Sequence, residues 1–110
     1  MTQESEQRQA FWKRLDENDY LALTPEEQKR ELMKIQALID EDGPTPKQKA
    51  DLFLAQALLY RFTEENAKAI ASYDKALELK PDDRKAWYNR GIPLGNLDRL
   101  EEAIASGDKA

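Results

Sequence analysis

The chain has 110 residues, 35% of them charged, a formal net charge of −5, and neither cysteine nor histidine. That excludes a disulfide framework and a zinc site of Cys and His type, and it removes the usual acid–base residue near neutral pH. An acidic balance also argues against non-specific binding to nucleic acid, which needs a basic face, and against anionic membranes.

The first residues, Met1-Thr2-Gln3-Glu4-Ser5-Glu6, are polar and acidic, unlike a secretory signal or a transit peptide. A helix with Phe11, Trp12 and Leu15 on one side is expected over residues 3–17, with Tyr20 beyond its end. Thr24-Pro25-Glu26-Glu27 is a capping box with proline at the first helical position. Leu32, Ile35, Leu38 and Ile39 then recur at helical spacing until Asp42-Gly43-Pro44 stops the pattern. Thr45-Pro46-Lys47-Gln48 is a second capping box and opens a helix through Leu52, Phe53, Leu58 and Phe62. Thr63-Glu64-Glu65 is expected to start the next helix, which ends before Pro81. Another helix is expected from about Asp83 to Leu97, with Asp98 capping the last one. No alternating run suggests a strand, and no apolar run approaches the roughly 20 residues that span a bilayer. A cytoplasmic location is the expectation.

Residues 69–76 read Ala-Ile-Ala-Ser-Tyr-Asp-Lys-Ala, and residues 103–110 read Ala-Ile-Ala-Ser-Gly-Asp-Lys-Ala. Seven of the eight positions match at an offset of 34. The same offset pairs Phe53 with Trp87, Ala57 with Gly91, and Tyr60 with Leu94. A match of that length points to duplication of a helical hairpin.

The duplicated unit resembles a tetratricopeptide repeat (TPR), whose period is 34 and whose pattern is W-x2-L-G-x2-Y…A-x3-F…P. Phe53, Ala57, Tyr60, Ala69, Tyr73, Ala76 and Pro81 fill those slots in the first copy, and Trp87, Gly91 and Ala103 in the second. The resemblance covers about residues 50–110 and implies an all-α fold of antiparallel hairpins stacked as a short solenoid. Residues 1–44 are expected to form an N-terminal helical extension or cap. Residues 45–110 would be the repeat domain, with repeat one over about 50–83 and an incomplete repeat two over 84–110. The second copy departs from the pattern. Arg90 replaces a leucine, Gly107 stands where a large aromatic is expected and should leave a hole, and Pro93 should kink its helix. The pattern also stops at Ala110, before the helix would finish, so a fragment of a longer protein is the expectation.

The packing residues are expected to be Phe53, Ala57, Tyr60, Ala69, Tyr73, Trp87, Gly91 and Ala103, with the small ones at the helix crossings. The resemblance implies a partner groove along the first helix of each pair, here Leu54, Leu58, Arg61, Lys85, Tyr88, Asn89, Ile92 and Asn96. Burial of Leu54 and Leu58 under the N-terminal helices is the alternative. Some members of the family grip chaperone C-termini with Lys and Asn in consecutive first helices. Leu54 and Leu58 stand where that clamp needs them, so chaperone-tail binding is not expected. No catalytic residue, metal or cofactor is expected. The expected function is protein–protein interaction, as scaffold or adaptor. A regulatory or dimerisation domain of a larger protein or enzyme is the alternative. Leu100 and Ile104 lie on the last helix with nothing after them to cover them, which suggests weak self-association through that edge.

Overall fold

The computed structural model describes residues 23–110. The expected helix over residues 3–17, with Phe11, Trp12 and Leu15, and Tyr20 beyond it, lies outside the described residues. Five helices follow: α1 Pro25–Asp40, α2 Pro46–Phe62, α3 Asn66–Leu79, α4 Arg84–Asn96 and α5 Leu100–Asp108. Among the described residues there is no strand. Each helix packs on the one that follows it, α1 on α2 through to α4 on α5. The fold is an all-α stack of antiparallel hairpins.

The two capping boxes form as read. Thr24 Oγ1 accepts from the Glu27 N–H at 3.2 Å, while Glu27 Oε1 accepts from the Thr24 N–H at 3.1 Å. Thr45 and Gln48 repeat the exchange at 3.1 and 2.9 Å. Each box satisfies two of the amide groups that a helix start leaves unpaired. Asp83 caps α4 through a bond from the Ala86 N–H, 3.2 Å.

Two other expected helix starts are corrected. Thr63 does not open α3: it closes α2, its hydroxyl donating toward the carbonyls of Leu59 and Tyr60. Asp98 does not cap α5 through its side chain: its φ of 59° places it in the left-handed region just past α4. Glu65 and Arg99 sit at the N-caps of α3 and α5, neither with a side-chain cap bond. The expected hole at Gly107 is open space at the exposed end of α5, where an added Cβ would meet nothing within 4 Å. Pro93 lies buried within α4, which continues through it to Asn96.

Two apolar clusters share α2. Ile35 of α1 packs with Leu52, Ala55 and Leu59, all fully or almost fully buried, with Leu32, Leu38, Ile39 and Phe62 around them. On the other side Ala57, Ala69, Tyr73, Leu77 and Ala86 join α2, α3 and α4, flanked by Leu54, Tyr60 and Trp87. Each large apolar side chain removed from water contributes about 1.5–3 kcal/mol. A helix committed to both sides is therefore the one on which the stack depends.

Candidate functional site

The outward face of α2 and α4 is set by what the clusters consume. On α2, Ala55 and Phe62 are taken by α1. Leu54 is half buried against the cluster that contains Ala86, and Leu58 is half buried outside both clusters. Arg61 is half buried and its Nη1 donates to the Tyr73 hydroxyl at 3.4 Å. On α4, Tyr88 is 65% and Ile92 38% exposed. Lys85 is exposed and Asn89 half buried. Asn96 is exposed and its Nδ2 donates to Asn66 Oδ1 at 3.2 Å, a strut between α4 and the start of α3.

The packing residues fall around the helix crossings. Ala57, Ala69 and Tyr73 have no exposed surface, while Phe53, Tyr60, Trp87, Gly91 and Ala103 are half buried. At the α4–α5 crossing, a Cβ on Gly91 would lie 3.4 Å from the Ala103 carbonyl oxygen. Small residues there let the backbones approach, and the aromatic rings fill the flanks.

Polar contacts tie each first helix back to the helix before it, and the sequence pattern did not reveal them. Gln56 is 5% exposed; its Nε2 donates to Gln36 Oε1 on α1 at 2.8 Å, and its Oε1 accepts from Ser72 Oγ on α3 at 2.9 Å. Gln36 passes a bond on to Asp40. Thirty-four residues after Gln56, Arg90 reaches back in the same way. Its Nε meets Asp74 Oδ1 on α3 at 2.7 Å. The slot where the repeat pattern has leucine thus carries a polar tether in both copies. Charge-assisted pairing of this kind exceeds a neutral hydrogen bond in strength.

Trp87 is held from three sides. Its Nε1 donates to the Pro81 carbonyl at 2.8 Å, and its own carbonyl accepts from Ser106 Oγ at 2.6 Å. Lys109 Nζ stands 4.8 Å from the ring centre, within cation–π range. Near the α4–α5 turn, the Arg99 guanidinium bonds Glu102 and holds its carboxyl below the usual range. Near the α2–α3 turn, bonds from Lys68 and then Thr63 do the same to Glu65. Glu65–Lys68 and Arg99–Glu102 occupy matching positions with the charges exchanged. Burial of Tyr73 pushes its hydroxyl pKa up, against the opposing bond from Arg61. Among the described residues, no cluster of carboxylates could hold a metal ion, and no helix is long and apolar enough to cross a membrane.

A family model described as TPR repeat matches residues 57–98. The peroxisomal targeting signal receptor of Candida albicans is 36% identical over 61 residues, 56% of this chain and 10% of that protein. The peroxisomal targeting signal receptor of Kluyveromyces lactis is 35% identical over 65 residues, 59% of this chain and 12% of that protein. An uncharacterized protein of Methanocaldococcus jannaschii is 47% identical over 36 residues, 33% of this chain and 42% of that protein. The chain therefore spans about a tenth of the length of the two receptors. No solved structure matches.

Proposed function

Because the chain carries tetratricopeptide repeats, matched over residues 57–98, we propose that it is a protein-interaction module that holds a peptide segment along its first helices. The observation that carries this reading is the exposure of Tyr88 and Ile92 on α4. Both lie outward on a helix whose other face is fully engaged. Lys85 and Asn89 flank them, and Leu58, half buried on α2, is the position that matches Ile92 at the offset of 34. A strip of that composition suits an extended or helical peptide with apolar anchors and a few polar contacts. The receptor relatives are named for a targeting signal, which accords with peptide recognition.

The residue roles follow from that placement. Tyr88 and Ile92 act as anchors, Leu58 extends their surface, and Lys85 and Asn89 orient the ligand backbone or its carboxylates. Leu54, Arg61 and Asn96 support the strip through the contacts described. The repeat domain starts at about residue 45, and α1 acts as its cap by covering Leu52, Ala55 and Leu59. The module is non-catalytic and works in the cytoplasm.

Selection from a displayed peptide library tests this. Ligands enriched on the parent chain should lose at least tenfold in affinity for Tyr88→Ala and for Ile92→Lys, with the thermal melt unchanged. Ligands that ignore both substitutions would place recognition elsewhere.

A further inference from the structure

Asp42 and Gly43 lie in the short connection between α1 and α2. Glu41 closes α1, its N–H donating to the Leu38 carbonyl at 3.2 Å, and Thr45 opens α2 as its capping residue. Only Asp42, Gly43 and Pro44 separate the two caps. Asp42 and Gly43 are exposed, and neither belongs to a helix. A Cβ built on Gly43 would meet nothing within 4 Å, so there is open space around this peptide unit.

An aspartate can react with the amide nitrogen that follows it when that amide is unengaged and its residue carries no Cβ to crowd the approach. Asp42 is the one Asp or Asn in the chain followed by glycine. Among the described residues the Gly43 N–H donates to no backbone carbonyl. At other aspartates the following amide is spent. After Asp40, Asp82, Asp98 and Asp108 it donates to the carbonyls of Leu38, Lys80, Leu94 and Ser106. Asp51 and Asp74 lie inside helices, where the next amide serves the helix. Asp83 spends its carboxylate on the Ala86 N–H.

We propose that Asp42–Gly43 is a site of spontaneous covalent modification, at which the aspartyl bond isomerises to isoaspartyl and loosens α1 on α2. The Gly43 nitrogen attacks Cγ of the protonated Asp42 carboxyl. A bond forms between nitrogen and Cγ, and the amide proton leaves with the carboxyl hydroxyl as water. Water then opens the five-membered imide. Cleavage between nitrogen and Cγ restores aspartate. Cleavage between nitrogen and the main-chain carbonyl carbon leaves the chain running through Cβ, with a free α-carboxylate. The isoaspartyl form therefore has one more methylene between the two caps. The seating of α1 depends on that link, because Ile35 must meet Leu52 and Leu59 while Gln36 meets Gln56 at 2.8 Å. The new carboxylate is a substrate for methyl transfer from S-adenosylmethionine by an isoaspartyl methyltransferase.

The test ages the full chain at neutral pH for several weeks, then treats it with isoaspartyl methyltransferase and S-adenosylmethionine labelled in the methyl group. Label should accumulate on the peptide that contains Asp42, together with a minor species lighter by one water. Gly43→Ala should lower the labelling at least tenfold. Asp42→Asn should label faster, because ammonia then leaves in place of water. Amide exchange at Ile35 and Gln36 should be faster in the isoaspartyl fraction than in fresh protein. Four results would overturn the proposal: no label on the aged parent, label that Gly43→Ala leaves unchanged, equal label at Asp82 or Asp98, or α1 exchange that is identical in the isoaspartyl and fresh forms.

Discussion

Glu64 and Asp98, thirty-four residues apart, hold the same left-handed backbone conformation, with φ of 62° and 59°. Each closes its helix by the same pair of bonds. The Glu64 N–H reaches the Arg61 carbonyl at 3.0 Å and the Glu65 N–H reaches Tyr60 at 2.8 Å. The Asp98 N–H reaches Gly95 at 3.0 Å and the Arg99 N–H reaches Leu94 at 2.9 Å. Both are Schellman closures, which favour glycine at the left-handed position. The duplication is therefore preserved at the level of single backbone bonds, even where the side chains differ.

The left-handed conformation costs a residue with a Cβ roughly 1–2 kcal/mol, partly offset because glycine gains more freedom in the unfolded chain. Glu64→Gly and Asp98→Gly should each stabilise the chain by about 0.5–1 kcal/mol. Urea unfolding of the single and double variants checks this. Alanine at either site should give no such gain.

Gly91 faces the Ala103 carbonyl with room for one methyl group at ordinary contact distance. Gly91→Ala should be neutral or stabilising by up to about 1 kcal/mol from helix propensity. Gly91→Leu should destabilise by about 1–3 kcal/mol through overpacking. Thermal melts of both variants decide whether this crossing is as close as described.

Gln56 holds Ser72 and Gln36 at once. Gln56→Leu should cost about 1–3 kcal/mol, because the buried Ser72 hydroxyl loses its acceptor. Ser72→Ala in the same chain should recover part of that loss. A double-mutant cycle measures it, and amide exchange should show α1 opening more readily in Gln56→Leu.

Tyr73 gives a pH dependence of known sign. Its folded pKa is raised above the unfolded value because burial opposes the anion. Stability from this group is fully present below pH ~10, the ordinary tyrosine pKa, and is lost as pH rises from there toward the folded pKa. Unfolding followed from pH 8 to 11 should show a decline that is smaller in Tyr73→Phe.

Much of the fold was legible because its signals are local. Thr24 with Glu27 and Thr45 with Gln48 mark helix starts by residue type and spacing, and the Ala69 and Ala103 segments repeat almost letter for letter. Thr63 and Asp98 misled for a physical reason. Both residue types favour helix starts, and an αL closure built on Glu64 or Asp98 lacks the glycine that would announce it. The buried links were hidden for another reason. Gln36, Gln56 and Ser72 are polar residues scattered over three helices, and only packing brings them together. The Arg90–Asp74 tether likewise required knowing that α4 lies on α3. The strip on α4 was legible as a set of outward positions, but the exposure of Tyr88 and the strut from Asn96 depend on which neighbours each helix keeps.

Amide NMR tests whether a peptide lies along the first helices. A ligand selected on the parent chain would be titrated into isotope-labelled protein at saturating concentration. Shift changes should concentrate at Leu58, Lys85, Tyr88, Asn89 and Ile92. Changes confined to α1 and α3, with these five residues unmoved, would contradict it.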